Sequence, residues 1–204
     1  MSQESAMIKQ MLYAVKGYAH ATDVDEIQRI ITNHALAAAG AAAVSGWIPA
    51  AGTVANVAAI GFVWAMYYRL CKATGIKIAK AKLKTLASVV VAEVGAYIGV
   101  LLAANIILSL IPGLNLGTVV LGALVNFAMV YAAGTLFILM MTKLCKKFNG
   151  GDLESIPDED IKKVAKSSFS GADVKKAAKD GLKNYGTAKQ DPKYSGDGID
   201  PFED

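Results

Sequence analysis

At 204 residues the chain has room for one or two domains, but 54% of it is apolar, only 19% is charged and the mean hydropathy is +0.38, a composition that points to a membrane before any motif is read. The net charge of +4 does not mark a nucleic-acid binder, because the basic residues flank apolar runs and form no stripe with interleaved aromatics. Two cysteines and two histidines, Cys71, Cys145, His20 and His34, do not supply the ligands of a zinc site.

These averages conceal a division near Asn149. Between Ile30 and Phe148 the only acidic residue is Glu93, and the bases cluster at 69–84 and 143–147. Beyond Asn149 the chain is polar and rich in Asp and Lys. Three regions follow: an amphipathic N-terminal helix over 1–22, a membrane domain over 23–148 and a polar tail over 149–204.

Ile8, Met11, Leu12, Val15 and Tyr18 recur at helical spacing, with Lys9, Gln10 and Lys16 off that face. Such a helix lies at a membrane interface or packs on the rest of the protein. No secretory signal is expected, since Met1 to His20 lacks a continuous apolar stretch. Thr22, Asp23, Asp25 and Glu26 open the next helix, with a cap and acids that suit its positive end. It runs through Ile27, Ile30, Ile31 and Leu36 into an Ala-rich stretch. Its uncharged part, Ala35 to Ile48, falls short of the ~20 residues that a span requires.

Pro49 and Gly52 break that helix. The return helix, Ala51 to Tyr68, holds Asn56 and ends on Trp64, Tyr67, Tyr68 and Arg69, as where an aromatic belt meets a basic flank. Thr85 to Ile111 is the clearest spanning segment, interrupted by Glu93 and Asn105; Pro112 and Gly113 turn the chain, and Leu116 to Met141, with Asn126, is the second. Each unit thus reads as apolar helix, uncharged Ile-Pro turn, apolar helix and basic stop. The expected fold class is all-α, with two tandem apolar helical hairpins in the membrane. The second hairpin is longer than the first by about three turns of about 3.6 residues. Both turns are uncharged and the basic clusters lie on the opposite side. The positive-inside rule therefore puts both termini in the cytoplasm and the chain in a membrane, taken as a bacterial inner membrane.

Within the helices, Gly95 and Gly99 have the spacing that lets two backbones approach, within one chain or between copies. Asn56, Asn105 and Asn126 are expected to hydrogen-bond between helices. Glu93 is an ionisable group inside an apolar helix: it either pairs with a loop lysine or a neighbouring Asn, or serves an ion pathway. In the tail, Ile161, Val164, Ala165 and Phe169 form one short amphipathic pattern, and Val174, Ala177, Ala178, Leu182 and Tyr185 another, with lysines opposite. Either could dock on a partner or a bilayer surface. Residues from Gln190 onward read as disordered. No nucleophile motif or phosphate-binding loop occurs, so neither an enzyme nor a cofactor is expected.

The stretch from about Ala35 to Leu144 resembles a bacterial family of helical membrane domains of unknown function that often follow an Era-like GTPase domain. The likeness rests on Ile111-Pro112-Gly113, Gly117-Thr118, Gly122 and Tyr131-Ala132-Ala133-Gly134, with Ile48-Pro49 and Gly52 as the first turn. The resemblance implies membrane association and a role beside a GTPase, which would have to be a separate partner. The expected function is a non-enzymatic, self-associating membrane scaffold or anchor. The alternatives are a pore-forming or permeabilising protein and a soluble helical assembly.

Overall fold

A computed structural model describes residues 7–11, 24–45, 55–103, 118–148 and 152–200. The fold is all-helical. Its main elements are α1 (Val24–Ser45), α2 (Ala55–Thr74), α3 (Lys80–Ala103), α4 (Thr118–Lys147), α5 (Asp158–Ser167) and α6 (Gly171–Gln190).

Local signals explain most boundaries. Asp25 and Glu26 occupy the first turn of α1, where carboxylates favour the helix dipole. Gly75 adopts φ +70° just past α2, and Ile76 N–H donates back to the Cys71 carbonyl at 3.0 Å, a left-handed C-terminal cap that glycine adopts without strain. Asp158, Glu159 and Asp160 fill the first turn of α5 behind Pro157. Ser170 caps α6 in a reciprocal box with Asp173, and the Ser170 backbone and hydroxyl hold the Asp173 carboxyl below its usual range.

The centre of the molecule is α4. It packs against α1, α2, α3, α5 and α6. Gly134 sets its approach to two neighbours. A Cβ on Gly134 would lie 2.7 Å from Ile31 Cγ2 and 3.2 Å from Met66 Sδ, so glycine admits α1 and α2 together. Tyr67 of α2 is wholly buried; its hydroxyl donates to the Ala133 carbonyl at 3.0 Å and its ring lies 4.2 Å from that of Phe137. Tyr67 is therefore a core residue and not part of an interfacial belt. Lys84 and Lys80 instead sit over the Trp64 and Tyr68 rings, at 4.8 and 5.0 Å.

The polar region does not hang free. Its helices join the same hydrophobic cluster as α1 to α4, so the change in composition near Asn149 is not a break in the core. Residues 191–200, expected to be disordered, lie on α1: Ser195 N–H donates to Asn33 Oδ1 at 3.1 Å, and a Cβ on Gly196 would lie 2.5 Å from Ala37 N. Polar composition misleads here, because glycine and backbone donors dock this segment without large apolar side chains. At the other end, Ile8 and Met11 are fully buried in the bundle core; Leu12, Val15 and Tyr18 lie outside the described residues.

Candidate functional site

Among the described residues, two helices are long and apolar enough to cross a membrane: Lys80–Leu101 in α3, 22 residues, and Leu121–Lys147 in α4, 27 residues. They pack against each other, but their surroundings differ. Of an apolar 18-residue window in α4, 89% is buried inside the molecule, against 39% of the corresponding window in α3.

On α3, Leu83, Leu86, Val90, Val94 and Ile98 face inward. Ser88, Ala92, Ala96 and Val100 face out, with Gly95 and Gly99 half-exposed beside them. Val100 is 63% exposed, and a Cβ on Gly99 would meet nothing within 4 Å. Gly99 is thus not consumed by packing among the described residues. Glu93 is exposed on the same side. It lines a groove of about 180 Å³ with Val89, Lys166, Phe169, Ser170, Gly171 and Val174, which brings it to the α5–α6 junction.

Asn126 is buried, and its amide donates to the Gly122 carbonyl at 2.9 Å. That bond runs within α4, as short polar side chains favour in a helix. Asn56 falls at the start of α2, its side chain outside the described part; Asn105, Pro49, Gly52, Pro112 and Gly113 lie outside the described residues.

The helix α1 covers one side of α4 and α6 another. Contacts step backward along α4, from Lys143 Nζ donating to the carbonyl of Ser167 at the end of α5 at 3.2 Å, through Gly181 of α6 against Ala128, to Tyr185 against Phe127 with ring centroids 5.3 Å apart. A Cβ on Gly181 would lie 2.9 Å from both Ala128 Cα and Ala128 O. Asn184 Nδ2 donates to Tyr131 Oη at 2.9 Å. The apolar face read from the sequence is the face that docks: Val174, Ala177, Ala178 and Leu182 are buried. Lys175, Lys176, Lys183 and Lys189 are exposed along the helix. A lysine held at the centre of a bilayer costs about 2.5–3.5 kcal/mol, so α4 with α6 docked beside it is not dressed for hydrocarbon.

Lys82 is a structural residue that the sequence does not flag. Its Nζ donates to the carbonyls of Glu154 at 2.7 Å and Ile156 at 2.6 Å and lies 3.7 Å from Asp158 Oδ1. The parallel pairing of Lys77 with Asp152, through Leu153 N–H to the Lys77 carbonyl at 2.7 Å, secures the same loop. Backbone carbonyls carry no residue signature, so no spacing rule could reveal this anchor.

His34 is buried, and Nδ1 must donate to the Ile30 carbonyl at 2.7 Å, leaving the lone pair on Nε2. Burial holds its pKa down at about 4, and Arg69 contributes in the same direction. Cys71 and Cys145 are buried free thiols; burial raises the Cys71 pKa well above the usual thiol range, so it is a poor nucleophile. Among the described residues no group of three or more His, Cys, Asp or Glu converges as a metal site. Comparison with protein-family models, with curated proteins and with solved structures finds no match.

Proposed function

We propose that the protein is a non-enzymatic membrane anchor or scaffold whose inserted element is the α3–α4 hairpin. The observation that carries this reading is the pairing of two packed helices, each long enough to span, joined by the uncharged segment around Pro112. Spanning requires backbone groups satisfied within the segment and about 20 apolar residues, and both helices meet these conditions. The outward strip of α3 at Gly95 and Gly99 supports self-association, since small residues let a second backbone approach. The resemblance over 35–144 adds a separate GTPase as the protein to test for tethering.

A second reading is favoured by the burial of α4: a water-soluble bundle in which α4 is the central core helix. An apolar helix covered on all sides needs no bilayer. Flotation of the purified full chain with liposomes, followed by alkaline carbonate, separates the two. Retention in the lipid fraction is expected for the anchor, and complete release would favour the soluble bundle. Release of an entrapped dye under the same conditions would favour a pore over either.

A further inference from the structure

If α3 and α4 enter a bilayer, α4 has to exchange one environment for another, and the structure names what stands in the way. Besides α1, the main cover of α4 is α6, held at close range by small residues: Gly181 on the Ala128 backbone, with Ala177 and Ala178 buried beside it. Val174 and Leu182 are buried with these small residues and Tyr185 lies on Phe127, apolar surface that acyl chains would cover again once α6 leaves. The outer side of α6 is studded with lysines, which cannot accompany α4 into hydrocarbon. At its far end α6 continues into 191–200, which is fastened to α1 by the Ser195–Asn33 hydrogen bond and the seat of Gly196 on Ala37.

We infer that α6 with its 191–200 latch is a releasable cover, and that α4 meets lipid acyl chains only after this cover has left it. The released α6 is an amphipathic helix with an apolar face of Val174, Leu182 and Tyr185 and a basic opposite face. An anionic headgroup surface is the environment that takes both faces at once. This inference rests on the anchor reading, because without insertion α6 is simply a packed helix.

The test uses the full chain with Tyr131→Cys and Asn184→Cys, a pair whose native side chains touch across α4 and α6. The native thiols are buried and can stay. A reducible bis-maleimide bridges the pair, and vesicles of phosphatidylcholine with phosphatidylglycerol carry a photoactivatable phospholipid. Lipid adducts on the Leu121–Met141 stretch are then counted by mass spectrometry. The unbridged protein is expected to be labelled there, the bridged protein several-fold less, and reduction of the linker to restore labelling, which separates the lock from damage by the substitutions. In a second variant, Gly181→Leu is expected to raise labelling several-fold by forcing α6 off Ala128. Equal labelling with and without the bridge overturns the cover while leaving the anchor standing. Absence of labelling in every form, with no vesicle association, overturns the anchor and the cover with it.

Discussion

His34 and Lys82 show how single residues tie the bundle together. His34 is neutral in the fold with a pKa of about 4, against 6.5 when exposed. Protonation therefore favours the unfolded chain: stability is complete above pH 6.5, falls as pH drops from 6.5 towards 4, and levels off below. One pKa unit is worth about 1.4 kcal/mol, so the loss can reach about 3 kcal/mol. Urea unfolding at pH 7 and pH 4.5 should show this decline, and His34→Gln, which keeps a donor without the titration, should flatten it. An unchanged pH slope would show that other groups govern acid stability. For Lys82, the expected result of Lys82→Met is a loss of about 1–2 kcal/mol, since charge-assisted bonds to two carbonyls vanish while those carbonyls regain water. Hydrogen exchange at Leu153 N–H should quicken in the same variant, because Lys82 secures the loop that this bond closes.

Among the helices, close approach is governed by glycine. Gly134 admits Ile31 and Met66 against α4, and Gly134→Leu should destabilise the protein by about 1–3 kcal/mol through overpacking, read as a lower Tm. The strip on α3 behaves differently, because Gly99 faces open space. Gly95→Ile with Gly99→Ile should leave the Tm nearly unchanged in the absence of lipid, yet reduce cross-linked oligomers in membranes. Oligomers that persist at wild-type yield would remove the strip from the self-association proposal. The two experiments pair a glycine that serves the interior with a strip whose Gly99 has open space beside it.

For the molecule as a whole, one continuous core joins α1–α4 with α5 and α6, yet its parts need not open together. Native-state hydrogen exchange should find the amides of α4 protected to the level of global unfolding. Those of α6 and 191–200 should exchange through a smaller opening, as a separable cover requires. Matching protection in α6 and α4 would mean that the bundle opens only as a unit.

Periodicity and charge carry local information, and local features were legible. The all-α class, the two spanning-length segments, the acidic start of α1 and the docking faces of α5 and α6 all follow from residue type at helical spacing. Even the capping box of α6 is present as Ser170 followed by Asp173, although its short polar pattern does not stand out beside the lysines. What an amphipathic face packs against is not local. The apolar side of α6 would suit a bilayer, a partner or α4 equally well by sequence, because hydrophobic burial is non-directional. The choice of α4 is made by backbone approach at Gly181 and Ala128, contributed by residues far apart in the chain. Likewise, Tyr67 has the composition of a belt residue until the Ala133 carbonyl supplies a buried partner. Residues 191–200 have the composition of a free end until Asn33 and Ala37 receive them. In each case one member of the contact is visible in its own segment, and the energy depends on another that only folding brings near.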